Sequence, residues 1–142
     1  MLTKTKTIRA DLEHAPLIIR RVDAIPVALP LKAPMSMSGV TIATAENVLV
    51  RIEAKGGAVG WGEAASAPTM TGDTLGGLVA AVRDYLAPLL VGEDARDVDR
   101  LWSKLRWGCS GAGSAAAASK AAILGPAAAA SFDQPAVSRI LA

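Results

Sequence analysis

The stretch ENVLVRIEAKGGAVGWGEA, residues 46–64, decides the fold. Val48, Val50 and Ile52 alternate with Leu49, Arg51 and Glu53, the two-residue period of a strand with one face on a core. Lys55, Gly56 and Gly57 then turn the chain and AVGWGEA runs back, so the stretch reads as a β-hairpin with those three residues at its tip. Gly60 and Gly62 bring no side chain to the return strand, which marks a bulge or a place where other backbone presses close.

Upstream, LIIRRVDAIPVALPL (residues 17–31) mixes β-branched residues with two prolines, the composition of an edge strand. Residues 32–45, KAPMSMSGVTIATA, are small and polar, with Pro34 and Gly39 as breakers, and read as an irregular loop longer than a simple turn needs. Residues 1–16, polar, aperiodic and closed by Pro16, read as a leader outside the fold. Downstream of the hairpin, Pro68 and Gly72 predict a second irregular loop over ASAPTMTGD (residues 65–73), with Asp73 or Thr71 capping the following helix and Asp73 the preferred cap.

Leu75, Leu78, Val79, Val82, Leu86, Leu89 and Leu90 recur in steps of three and four along that helix, and Pro88 kinks or ends it near Gly92. A second helix starts near Asp97, with Val98, Leu101, Trp102 and Leu105 on one face and Lys104 and Arg106 late, where the helix dipole favours them. Beyond Trp107 the text becomes alanine- and glycine-rich, helical by propensity but interrupted by glycine and by Pro126. The reading is α+β: an antiparallel three-stranded sheet followed by a helical bundle, with a leader at 1–16, a domain at 17–107 and an Ala/Gly-rich helical tail at 108–142.

Composition narrows the function. A net charge of +2 with interleaved signs gives no broad basic face, so nucleic acid is not the expected partner. Cys109 is the single cysteine and has no His/Cys cluster around it, which argues against a disulfide or a zinc site and fits a reducing cytoplasm. The first twenty residues lack the apolar core of a secretory signal, and the alanine-rich run carries Lys120 and Pro126, so neither export nor a membrane span is expected.

The residues alone offer no catalytic constellation. GWGEAA, residues 60–65, fits the spacing of a dinucleotide-binding turn, but Pro68 follows where that motif needs a helix to begin. Glu63 has no evident acid–base partner and reads as a structural glutamate accepting backbone hydrogen bonds; His14, Lys4, Lys6 and Arg9 sit in the polar leader. Trp61, Trp102 and Trp107 read as core or interface residues, without the basic interleaving of a base-stacking surface. Met35, Met37 and Met70 lie in the two loops, where a flexible thioether suits the lining of an apolar pocket.

Taken together, the hairpin ending in G-x-G-E-A, the P-x-x-T-G loop (residues 68–72), the P-L-L-x-G helix end in YLAPLLVGEDARDVDRLWSKL (residues 85–105) and the acidic turn after it resemble the N-terminal capping domain of the mandelate racemase/muconate-lactonizing branch of the enolase superfamily. Within that branch the text is most similar to muconate cycloisomerases. The resemblance implies a division of labour. A TIM-type barrel supplies lysine bases and acidic Mg²⁺ ligands, a base removes the proton alpha to a substrate carboxylate, and the metal stabilises the enediolate.

The cap would supply two loops that close over the barrel mouth, residues 32–45 and 64–72, with Met35, Met37, Ser38, Val40, Thr41, Ser66, Pro68, Thr69, Met70 and Thr71 as the specificity residues. No barrel motif is present, so the resemblance assigns no catalytic residue and no metal ligand here, and a small-molecule carboxylate would bind only together with a barrel. The segment GCSGAGSAAAASKAAI (residues 108–123) keeps the family's small residues but loses the acids of its docking helix, whereas DQPAVSRILA (residues 133–142) again resembles the approach to the barrel. The expectation is a lid domain that is catalytically silent alone. The competing expectation is a non-enzymatic module that self-associates or binds a partner through its apolar face, possible homo-oligomers included.

Overall fold

The computed structural model describes residues 16–37 and 39–129, leaving aside the side chains of Met37 and of residues 124–129. Three antiparallel strands, β1 (Ile19–Met37), β2 (Val40–Ala54) and β3 (Val59–Ala65), form a sheet in the order β1-β2-β3. The hairpin read from residues 46–64 is there. Val48, Val50 and Ile52 are fully buried, and Gly56 and Gly57 take positive φ at its tip (+99° and +90°), where a side chain would be strained.

β1 is longer than its sequence suggests. Residues 32–45, expected as an irregular loop, instead continue the pairing: Met35 opposes Ile42 and Met37 opposes Val40, and Gly39 at φ +77° turns the chain between the strands. The prolines are accommodated because β1 is an edge strand, whose outer side needs no donors, and because residues 31–34 of β1 bulge opposite the single residue Ala43. β-branched Val40, Thr41, Ile42 and Thr44 then favour an extended ribbon over a loop.

Helices cover one face of the sheet. α1 (Leu75–Ala80), a π-helical segment (Ala81–Leu86) and α2 (Ala87–Leu90) run on without a break. Near Pro88 the helix widens and, as expected, it ends close to Gly92, at Leu90: the wider turn before Pro88, where the Ala87 amide reaches the Val82 carbonyl, gives its ring room beside the preceding turn. Leu78, Val82, Leu86 and Leu90 enter the core, and Gly92 (φ +90°) leads the chain out after Val91. Thr74, not Asp73 or Thr71, is the N-cap: its hydroxyl accepts the Gly77 amide at 3.1 Å, while the Asp73 carboxylate is engaged elsewhere.

α3 (Val98–Gly108) buries Leu101 and Leu105. The alanine-rich segment forms α4 (Gly113–Ala129), which lays Ala115, Ala118, Ala122 and Ile123 into the same core as the strands. Small side chains suit this position, because α4 crosses β3 at Gly62 with almost no space between the backbones. The close approach expected of the glycine-bearing strand is thus made by α4.

The chain's approach to the sheet is fixed at the turn that follows α2. The Ile19 amide donates to the Glu93 carbonyl (2.8 Å), the Gly92 amide to the Ile19 carbonyl (2.9 Å) and the Ala95 amide to the Leu17 carbonyl (2.9 Å). Asp94 completes the joint by accepting the Leu17 amide at 3.1 Å.

Candidate functional site

Antiparallel connectivity brings the two expected loops to one end of the sheet. The β1–β2 ribbon runs past the point where β3 stops, since Asn47 pairs with Ala65 and the chain leaves β3 there, the Ser66 amide still bonded to the Glu46 carbonyl at 2.8 Å. The ribbon carries Met35, Val40 and Thr41, with Met35 and Val40 exposed; the Ser36 and Thr41 hydroxyls face each other across it at 3.5 Å. The backbone of Met37 pairs with Val40, and Ser38 lies outside the described residues, as do His14, Lys4, Lys6 and Arg9 of the leader.

Residues 66–73 form a closed loop rather than an open one. Its neck is the bridge between Ala67 and Asp73, with the Ala67 amide on the Asp73 carbonyl at 2.9 Å and the Ser66 hydroxyl on the same carbonyl at 3.2 Å. Inside it, the Met70 and Thr71 amides both donate to the Ala67 carbonyl (3.0 and 2.9 Å), and Gly72 supplies a positive φ of +84°. Pro68, Thr69, Met70 and Thr71 are therefore held on a turn whose side chains face solvent.

Polar side chains along the strands pair with one another. The Asn47 side-chain amide donates to Glu63, so the glutamate's partner is a side chain of the neighbouring strand and not the expected loop backbone. Between β1, β2 and the π-helical segment an open cleft of about 550 Å³ is bordered by Arg21, Asp23, Arg51, Glu53 and Arg83. Its charges neutralise one another: Arg51 contacts Glu53 at 2.9 Å and Asp23 at 3.4 Å, Arg21 contacts Asp23 at 2.7 Å, and Arg83 contacts Asp84 at 2.7 Å. The hydrogen bond from Arg51 holds the Glu53 carboxyl below its ordinary pKa despite partial desolvation.

Of the tryptophans, Trp102 is packed and carries Lys120 over its ring at 4.6 Å, whereas Trp61 and Trp107 stand exposed, so of the core-or-interface expectation the core half does not hold for these two. Sequence reasoning missed the part played by Asp73. Its carboxylate accepts the Thr71 hydroxyl at 2.9 Å and the Ser114 hydroxyl at 2.7 Å, and the second contact spans a separation that no local pattern displays.

Mg²⁺ chemistry needs several hard oxygen ligands in one place. Among the described residues no three His, Cys, Asp or Glu side chains converge, so the described residues do not fit such a site and no metal-dependent step is assigned to them. Among the same residues, no helix is long and apolar enough to cross a membrane.

The family of mandelate racemase/muconate lactonizing enzyme N-terminal domains matches residues 19–137. The L-Ala-D/L-Glu epimerase of Bacillus subtilis is 40% identical over 75 residues, covering 53% of this chain and 20% of that protein. The chloromuconate cycloisomerase of Cupriavidus pinatubonensis is 36% identical over 100 residues, covering 69% of this chain and 27% of that protein. Among solved structures, a mandelate racemase/muconate lactonizing protein from Herpetosiphon aurantiacus superposes with a TM-score of 0.72 at 33% identity, over 78% of this chain and 30% of its own. The chain thus spans between 20% and 27% of the length of these two curated relatives.

Proposed function

We infer a role from one premise: this chain belongs to the mandelate racemase/muconate lactonizing enzyme family, as its N-terminal domain. We propose that it is a substrate-specificity lid, which covers the mouth of a catalytic barrel and shapes the pocket for a small carboxylate substrate. The barrel would supply the lysine bases and the Mg²⁺ ligands for proton abstraction alpha to the carboxylate. This chain's own residues would bind, orient and exclude water. Flexible thioethers at Met35 and Met70 adapt to an apolar substrate group, and hydroxyls at Thr41 and Thr69 offer hydrogen bonds. Expelling water strengthens the electrostatic interactions beneath the lid.

The observation that carries this reading is the placement of two exposed, methionine-bearing segments at one end of the sheet, on a scaffold in which Asp23, Glu53 and Glu63 are already paired. Alone, the 142-residue chain should be catalytically silent. The test is a chimera in which this domain replaces the corresponding segment of the Bacillus subtilis epimerase. Met70→Ala there should alter the ratio of kcat/KM for two dipeptides of different side-chain size by about tenfold, the order of effect that apolar pocket contacts produce. An equal change for both dipeptides, or turnover by the isolated chain, overturns the proposal.

A second reading, self-association or partner binding without catalysis, draws support from Trp107, a large apolar side chain left 84% exposed. A strictly monomeric chain in light scattering, unchanged by Trp107→Ser, would remove it.

A further inference from the structure

We propose that Asp73 is the positioning residue of the 66–73 loop, clamping the turn that bears Thr69 and Met70 against α4 through Ser114. Asp73 holds the loop at three points with two different groups. Its main-chain carbonyl accepts the Ala67 amide at 2.9 Å and the Ser66 hydroxyl at 3.2 Å, which closes the neck. Its carboxylate oxygen Oδ2 accepts the Thr71 hydroxyl at 2.9 Å, which fixes the returning limb, and the Ser114 hydroxyl at 2.7 Å, which fixes both to the first turn of α4. Hydrogen bonds to an ionised acceptor are stronger than neutral ones, so this oxygen dominates the local geometry.

The clamp joins elements that are rigid by other means. On one side Thr74 caps α1 through the Gly77 amide at 3.1 Å, so the residue after Asp73 is already committed to a helix. On the other, α4 packs closely on β3 at Gly62, where there is no room for a Cβ between the two backbones. Between these anchors stands an exposed turn whose Met70 side chain is 49% exposed and is not held by burial. The posture of Met70 is therefore set by polar contacts at Asp73 more than by packing. Asp73 does not touch the substrate in this scheme; it acts through Thr71 and Ser114 on the residues that would.

The proposal deepens the lid reading and, for its effect on substrate choice, rests on it. The clamp itself is tested without catalysis, in the full 142-residue chain, by backbone amide exchange and by the ε-methyl NMR signal of Met70. Asp73→Ala should speed exchange of the Ala67 and Thr71 amides by about tenfold relative to core amides, in keeping with the loss of bonds to a charged acceptor. Asp73→Asn keeps an acceptor oxygen and should recover most of that protection. Ser114→Ala should move the Met70 signal while leaving the loop neck protected. Thr74→Ala is the control, lowering global stability without opening the loop selectively.

Uniform exchange changes across the chain in Asp73→Ala, or an Asn variant no better than the Ala variant, overturn the clamp. Should Asp73→Ala fail to fold, an unmoved Met70 signal in Ser114→Ala rejects it instead. In the barrel chimera, loop opening with unchanged discrimination between dipeptides upholds the clamp and rejects the lid, whereas protected loop amides in Asp73→Ala reject the clamp whatever the catalysis shows.

Discussion

Gly62 of β3 lies so close to Ala118 of α4 that a methyl group at Gly62 would overlap the Ala118 carbonyl oxygen, with the carbonyl carbon at 2.7 Å and the Ala122 amide nitrogen at 3.1 Å. The obstructing atoms are main chain, so no rotamer change relieves them. Gly62→Ala should therefore push α4 off the sheet and cost about 1–3 kcal/mol, the range for overpacking a tight core. Urea denaturation measures this as a lowered midpoint; a midpoint equal to wild type would mean that α4 does not pack there.

Gly76 is the opposite case. It lies inside α1 at a helical φ, and a side-chain methyl would meet nothing within 4 Å. Alanine loses less backbone entropy on folding and forms helix better, so Gly76→Ala should stabilise the chain by about 0.5–1 kcal/mol. The same urea titration, run beside Gly62→Ala, should move the two midpoints in opposite directions.

These two glycines show what the text displays and what it hides. Val48, Val50 and Ile52 announce a strand because burial on one face demands a period of two, and Gly62, bare within that hairpin, announces a bulge or a close contact. Which element makes that contact is not a local property; α4 carries little amphipathic pattern, since alanine serves equally on both its faces. The ribbon of residues 32–45 was hidden for a different reason. Pro34 and Gly39 break regular structure in most settings, and only the position of β1 at the sheet edge lets proline and a bulge stand inside a paired strand. At the candidate site, the loop residues were legible as a cluster of breakers. The choice of Thr74 over Asp73 as cap depended on Ser114, forty-one positions away in sequence.

Asp94 gives the chain an acid-sensitive joint. Hydrogen bonds from the Arg96 guanidinium chiefly, helped by the amides of Arg96 and Leu17 and opposed by desolvation, lower its pKa from 3.8 to about 2. The native state thus binds this proton more weakly than the unfolded chain does. The stabilisation is fully present above about pH 4 and is lost as pH falls toward 2. Asp94→Asn should accordingly be less stable than wild type near neutral pH, and the gap should close as the acid limb is descended. Urea midpoints across that window measure the gap; a difference independent of pH would show that the carboxylate charge contributes nothing at this joint.

Met35 and Met70 separate stability from specificity. They are 48% and 49% exposed, so neither contributes much buried area, and replacing either with alanine should change folding stability by no more than about 0.5 kcal/mol. On the proposed lid role, their position at one end of the sheet directs any effect to a bound molecule instead. With the domain joined to a barrel, Met35→Ala and Met70→Ala should change kcat/KM unequally for substrates of different apolar size, while a substrate lacking a side chain is turned over almost as before. Met70 stands on the clamped turn and Met35 on the ribbon, so the double variant should be close to additive if the two segments reach different parts of the substrate. A large loss of stability in either single variant would mean that the thioether is packed in the folded domain, and proportional losses for every substrate would mean that these residues support the fold and not the choice of substrate.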